Sequence, residues 1–518
     1  MTSKDEVAGS AGTQIEGLSK FASTLVLVGI FLALLMGGMD ALVVATVLPT
    51  IAGDLHQVSG IAFVAGAYLI ASAISIPILS RLSDMSSRRN VFLLGLALFI
   101  GGSALAGLSQ NLTELIVFRA VQGFGGGGVF PVALAMVAVL FPPSSRSRII
   151  GILTGASGLS IVLGPLVGSY IVAVTTWRWV FYINLPFGLM AMVVTFFALK
   201  PLHPDVRGRF DGLGAGLLTG WVGALMVALV EVADEGASWG DSSIVSLLGS
   251  AVVLFTAFIW WEGRTVDPLV PLGVFANRSV TAASGVFFFT GVVFSALFTF
   301  LSIFVGIVLL HNGPDAAGDI RDMIYFMAVP MIVGAALSGQ ILTRLSYRMV
   351  VAPGLAVAAV AGLFLSQLST STPLWTFAAG FVPTGGIALP LIPIGVGMGF
   401  ALAVPTVAVQ NDAPKEDVGV AVGMLKFLQT LGGALGISLL TTYQADRFAA
   451  LSAQDPPNQT MSALVASYDE VFLILALCVF VALGFALLFR GRVSGASRTP
   501  TTSEPAKRIS NSYLDVPL

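Results

Sequence analysis

The chain has 518 residues, 56% hydrophobic and 10% charged, with a formal net charge of −2 and a mean hydropathy of +0.93. Soluble domains carry about 25% charged residues, so this composition excludes a soluble globular protein and defines an all-α polytopic membrane protein. The net charge says nothing about nucleic acid, but no basic cluster suggests such a partner, and one cysteine, Cys478, with three scattered histidines leaves neither a disulfide framework nor a metal or cofactor site to expect.

A polar stretch, residues 1–21, opens the chain without a signal-peptide pattern. About 20 apolar residues cross the hydrocarbon layer as a helix. On that measure fourteen spans are predicted, near 22–48, 61–80, 91–109, 113–140, 148–172, 179–198, 211–231, 244–262, 280–310, 321–341, 350–367, 386–409, 417–441 and 470–490. Between 368 and 390 a polar stretch runs into the apolar WTFAAGFV, and the pattern is least regular there. An even number of spans puts both termini on one side. The loops and tails of that side hold 20 of the 25 Lys and Arg. The opposite loops hold three, Arg178, Arg321 and Arg447, and the other two, Arg119 and Lys426, fall inside spans. Cytoplasmic loops carry the positive excess, so both termini are expected in the cytoplasm, with the protein in the cell (inner) membrane.

The loop after span 2, SRLSDMSSRR (Ser80–Arg89), is echoed after span 10 by GQILTRLSYR (Gly339–Arg348). The echo predicts two six-helix halves, 22–198 and 280–490, separated by two intervening helices, 211–262. Residues 1–21 form an N-terminal tail, and 491–518 is a Ser/Thr/Pro-rich tail expected to be disordered. Repeated halves with a midplane substrate site are a common plan of secondary transporters.

The first span, LVLVGIFLALLMGGMDALVVATVL (Leu25–Leu48), carries one charge, Asp40. An intramembrane carboxylate is costly unless it meets water, a partner or a proton. Asp40 is therefore a candidate proton carrier; an aspartate at the membrane edge, or one capping a neighbouring helix, is the plainer reading. Span 4 holds Arg119 and Gln122, three apart and so on one helix face. Asp40 is the available acid for Arg119. Burial favours a neutral carboxyl and a guanidinium favours the ionised form, and two opposed effects of this kind poise a carboxylate to load and unload a proton. In the plainer alternative Arg119 only pins helix ends through backbone carbonyls.

Gly123–Gly128 fits G-x-G-x-x-G, but no strand precedes it, so it reads as close helix packing and not as a dinucleotide site. No Walker A sequence is present. Span 5 has small-xxx-small pairs at Gly151/Gly155 and Gly164/Gly168 and a kinking Pro165. Among interior aromatics and methionines, Tyr68, Phe124 and Met398 are candidates for an apolar substrate cavity, and each alone reads as readily as core or lipid-facing. Lys426, about two turns into span 13, either snorkels to the interface or lines that cavity. No nucleophile, metal or phosphate cluster suggests an enzyme.

These stretches together resemble the major facilitator superfamily, specifically its fourteen-span drug:proton antiporter branch. GMDALVVATVLPTIAGDL (Gly38–Leu55) resembles the branch's first-helix motif, with Asp40 as its acid. FRAVQGFGGG (Phe118–Gly127) resembles the span 4 motif, whose arginine, here Arg119, is implicated in proton transfer. The residues around Gly158, Gly164, Pro165 and Gly168 resemble the motif associated with antiporters. WRWVFYINLPFG (Trp177–Gly188), RFDGLGAGLL (Arg209–Leu218), DPLVPLGVFANRS (Asp267–Ser279), GVGMGFALAVPTVAV (Gly395–Val409) and LGGALGIS (Leu431–Ser438) carry the likeness across the membrane region. The first cytoplasmic loop keeps Asp84, Arg88 and Arg89, but Ser80 and Ser87 replace the family's glycines and Met85 its arginine, which alters the latch this loop is thought to form. In span 13 the family's Arg precedes the Gln of RQ-x-GG; that Arg position is Gln429 here, and Lys426 one turn earlier is the candidate replacement for its cation.

The resemblance implies a proton-coupled exporter of lipophilic or cationic drugs, working by alternating access as a monomer, with small molecules, protons and the bilayer as partners. One proton at ordinary gradients, at about 2.3 kcal/mol per 100 mV and about 1.4 kcal/mol per pH unit, supports a concentration ratio of order 10²–10³. The rival readings are an exporter of one metabolite (a siderophore, sugar, amino acid or lipid), a facilitative uniporter, and a transporter-like sensor.

Overall fold

The computed structural model describes residues 20–490 apart from 58–59, 142, 200–209, 234–237, 310–315, 343, 368–375, 379–381, 413–417 and 454–459. Both expected tails lie essentially outside these residues. In chain order the helices are α1 (Lys20–Asp54), α2 (Phe63–Met85), α3 (Arg88–Leu108), α4 (Leu112–Leu140), α5 (Pro143–Val174), α6 (Trp179–Tyr182), α7 (Asn184–Ala198), α8 (Gly212–Ala233), α9 (Ser242–Glu262), α10 (Arg278–Ile303), α11 (Ala316–Leu342), α12 (Tyr347–Leu365), α13 (Ala388–Asp412), α14 (Val418–Ser452) and α15 (Thr460–Ala486). A π-helical turn, Phe304–Leu309, prolongs α10.

Among the described residues, thirteen helices are long and apolar enough to cross a membrane, and the chain is an integral membrane protein. Helix α5, which covers the expected span 148–172, contributes Val162–Val174 as its described apolar part. The expected span 179–198 is broken into α6 and α7. Pro186, lacking an N–H, cannot bond back to the carbonyl of Tyr182, so the hydrogen-bond ladder is interrupted there while Ile183 keeps helical torsions, φ −61° and ψ −25°. The irregular stretch 368–390 contains two short strands, β1 (Thr376–Ala378) and β2 (Val382–Gly385), paired antiparallel ahead of α13.

The helices pack in two corresponding sets. α2 and α3 lie on α4, α1 on α5 and α7, and α3 on α7. α11 and α12 likewise lie on α13, α10 on α14 and α15, and α12 on α15. Between the sets, α2 meets α14 and α5 meets α11, while α8 and α9 pair with each other and α8 also touches α14 and α2.

Glycines make the closest of these approaches. A Cβ at Gly123 or Gly127 of α4 would lie 2.1 Å or 2.3 Å from the carbonyl oxygen of Tyr68 or Ser72 of α2. A Cβ at Gly395 or Gly399 of α13 would lie 2.2 Å from the carbonyl of Met327 or Met331 of α11. Gly432 of α14 is as close, 2.1 Å from the carbonyl of Phe288 of α10, and the pattern recurs more loosely where Gly436 faces Val292 and where Gly164 and Gly168 of α5 face Met39 and Val43 of α1. In each case both members sit four residues apart, one helical turn. Bare glycines let backbones touch where apolar side chains alone give helices no reason to leave lipid.

Candidate functional site

Asp40 sits in the middle of α1 and is buried. Burying an ionised carboxylate is tolerable only if its lone pairs are filled by charged or polar donors. Here they are filled from two other helices. Arg119 of α4 donates through Nη1 to Asp40 Oδ2 at 2.5 Å, with both side chains fully buried. Gln122, one turn later, donates through Nε2 to Asp40 Oδ1 at 2.8 Å, and its Oε1 accepts from Arg119 Nη1 at 2.8 Å. Asn184, the first residue of α7, donates through Nδ2 to the same Asp40 Oδ1 at 2.8 Å.

Ser103 of α3 forms the floor. Its Oγ accepts from Asn184 at 3.0 Å and Gln122 at 3.2 Å, and donates to the carbonyl of Phe181 at 2.8 Å. On the other side the Arg119 guanidinium lies over the ring of Tyr68, 4.3 Å from its centroid, and its Nε donates to the carbonyl of Val64 at 3.2 Å. Arg119 thus pairs with the acid and also holds a backbone carbonyl of α2. Its Nη2 is buried without a hydrogen-bond partner. Asp40 accepts from three N–H donors and presents nothing to an open cavity. All three contacts come from donors, and together they close the carboxylate off.

The span 5 residues adjoin this site. Gly164 would place a Cβ 2.8 Å from Leu42 Cβ, and Gly168 one 3.1 Å from the carbonyl of Val43, so α5 lies directly on the turn of α1 that carries Asp40. Pro165 lies between them inside α5. Gly158 belongs to the stretch of α5 whose surroundings are not among those described.

The loop between α2 and α3 is held by its arginines. Arg88 Nη1 donates to the carbonyl of Ala135 on α4 at 3.3 Å, and Arg89 Nη2 to that of Phe196 on α7 at 2.9 Å, with its guanidinium over the Phe196 ring. Cations at the ends of helices satisfy orphan carbonyls and the helix dipole. Asp84 lies 3.7 Å from Arg88. Arg81, the preceding arginine of the loop, reaches Asp267 at 2.7 Å, in the segment between α9 and α10.

The four expected cavity residues separate. Tyr68 is buried under Arg119 and belongs to the Asp40 cluster, because Gly123 draws its backbone onto α4. Met398 is fully buried in the core shared by α10 to α13, because Gly395 and Gly399 on either side of it draw α13 against α11. Neither lines open space. Phe124 is half-buried beside the core that α2, α8 and α14 share. Lys426 is exposed, and its Nζ donates to Gln429 Oε1 at 3.0 Å. Among other acids, Glu114 closes a capping box at the start of α4, with its Oε2 accepting from Gln110 N and its own N–H donating to Asn111 Oδ1, each at 2.8 Å. Asp54 accepts from Trp177 Nε1 at 2.7 Å and from Arg178 Nη1 at 3.0 Å. Each has a structural task. Sequence reasoning missed Asn184 and Ser103; the signal for Asn184 was an amide opening LPFG in an apolar span.

The model of the Major Facilitator Superfamily matches residues 30–437, and the chain belongs to that family. It is 31% identical over 418 residues to the multidrug transporter protein MdtP of Bacillus subtilis, covering 80% of this chain and 74% of that one. It is 30% identical to the multidrug resistance protein 3 of the same organism over 95% of this chain and 99% of that one. Its fold is that of a bacterial homologue of the human lysosomal transporter Spinster, solved in an inward-facing, unoccupied conformation, with a TM-score of 0.61, 16% identity and coverage of 91% and 97%. The protein is an MFS transporter.

Proposed function

We propose that the protein is a proton-coupled exporter, an antiporter of lipophilic or cationic drugs that works by alternating access. In this reading α5 is the fourteenth span, the two corresponding helix sets are pseudo-twofold halves, and α8 and α9 stand between them. Both termini lie in the cytoplasm, and the protein works as a monomer in the cell membrane. Relatives named for multidrug transport and resistance support the substrate class. The one observation that carries the coupling is the fully buried Asp40–Arg119 pair.

Protonation neutralises Asp40 and removes its charge pairing with Arg119. The pair then separates, and α1 moves against α5 at the Gly164 and Gly168 contacts. Helix α5 in turn meets the second set where Tyr325 Oη of α11 donates to the carbonyl of Val162 at 2.8 Å. A change at Asp40 thus has a contiguous packed route to the interface between the halves. Substrate occupies the other half of the cycle, with Asp40 ionised.

In vesicles, an imposed proton gradient is expected to drive accumulation of a lipophilic cation by the wild type. Asp40→Asn is expected to lose gradient-driven accumulation while keeping gradient-free exchange of labelled for unlabelled substrate. Undiminished accumulation in the variant would remove Asp40 as carrier. Transport indifferent to a protonophore would favour the facilitative reading.

A further inference from the structure

Helices α8 and α9 leave a cavity of about 700 Å³ between themselves, α14 and the segment leading into α10. The volume is in the range that takes small-molecule ligands. Leu218, Trp221 and Leu225 of α8 form one wall, and Met424, Phe427 and Leu431 of α14 the facing one. Val270, Leu272 and Phe275 close the end nearest the 263–277 segment. The rim on α9 consists of Val252, Phe255 and Ile259, all exposed on a membrane-spanning helix. The cavity therefore opens sideways, toward the hydrocarbon of the bilayer.

Every lining residue is apolar, and the one polar side-chain group among them is the indole N–H of Trp221. Trp221 is 7% exposed, and that N–H has no hydrogen-bond partner among the described residues. Water gains nothing here, since apolar cavities stay dry and a buried water needs two to four polar partners. An acyl chain loses nothing by leaving the bilayer for such a wall, and it gains close contacts on all sides. An ester carbonyl at its head would also be an acceptor for the unsatisfied indole.

We propose that this cavity is a binding site for an ester-linked acyl chain of a bilayer phospholipid. The chain fills the space between the α8–α9 pair and α14 and seats the pair against the second half. Met424, Phe427 and Leu431 share one face of α14, while Lys426 and Gln429 lie on another. A lipid on the first face is thus read by the helix that carries the exposed cation. The assignment gives α8 and α9 a task and does not depend on proton coupling.

The test uses the full chain in vesicles of phosphatidylcholine and phosphatidylglycerol, with a trace of phosphatidylcholine bearing a diazirine on its acyl chain. After photolysis, peptide mass spectrometry is expected to find adducts concentrated on α8, α9 and the 424–435 stretch of α14. Ala251→Trp and Leu218→Trp, which fill the cavity from α9 and from α8, are each expected to lower those adducts at least fivefold and leave adducts on α3 and α7 unchanged. Two variants are used because either alone risks misfolding, and gel filtration with wild-type adducts on α3 identifies a folded one. Adducts spread evenly over all lipid-facing helices, or undiminished in a folded filled variant, would overturn the site. Displacement of the adducts by tetraphenylphosphonium would reassign the cavity to a lipophilic substrate. Adducts that vanish as protein density in the vesicles rises would reassign it to a second copy.

Discussion

Asp40 and Arg119 stand out in the sequence because each is a charge in an otherwise apolar run, and a charge that deep needs the other. Gln122 follows from Arg119 by helical spacing alone. Asn184 and Ser103 do not stand out, since neutral polar residues are common in spans and nothing local marks which of them turn inward. Met398 fails for a related reason: a methionine between glycines looks adaptable, yet those glycines pull its helix into contact and bury it. The energetics of the pair give a direct expectation. Breaking a buried ion pair by removing one partner costs about 3–5 kcal/mol, whereas replacing both is close to neutral. Arg119→Gln is therefore expected to lower the thermal midpoint sharply, and Asp40→Asn with Arg119→Gln to recover most of the loss. Thermal unfolding in detergent reads both, and equal midpoints for single and double variants would mean that the charges do not stabilise each other.

At the scale of the helix, the glycine pairs decide where elements touch. Spacing in the sequence identifies small-xxx-small pairs but not the partner helix, because partners come from tertiary packing across more than 50 residues, as with the Ser72–Gly123 hydrogen bond. A Cβ at Gly123 or Gly395 meets a backbone carbonyl that cannot rotate away. Gly123→Ala and Gly395→Ala are expected to cost about 1–3 kcal/mol each by overpacking. At Gly37 and Gly423 a Cβ meets nothing within 4 Å. Alanine there is expected to be neutral, or stabilising by up to about 1 kcal/mol through helix propensity. Melting of the four variants separates close approach from a general intolerance of change at glycine. The break between α6 and α7 was equally readable in principle, since Pro186 is visible, but hydropathy averages over it.

Across the whole molecule, the apolar runs gave the order of the described helices, and the echoed basic loops raised the expectation of two halves. They could not give which ends meet. The described contacts between the sets include Gly306 of the π-helical turn against Pro49 of α1, and Gly66 of α2 against Ser438 of α14. Both lie toward the end of the bundle that carries the α1–α2 loop. A Cβ at Gly66 would lie 3.1 Å from Ser438 Oγ, so cysteines at the two positions bring their side chains into contact. Gly66→Cys with Ser438→Cys, in a Cys478→Ser background, is expected to cross-link on oxidation and stop transport, with reductant restoring it. Cross-linking without loss of transport would mean that this end does not open during the cycle.

Proton movement in proteoliposomes is the most direct test of Asp40 as the coupling residue. A panel of lipophilic cations is added to vesicles holding a trapped pH dye, with wild type and Asp40→Asn compared. Substrate-dependent proton flux in the wild type that disappears in the variant is the expected result. Equal flux in both would place the proton carrier elsewhere and reduce the Asp40–Arg119 pair to a structural clasp.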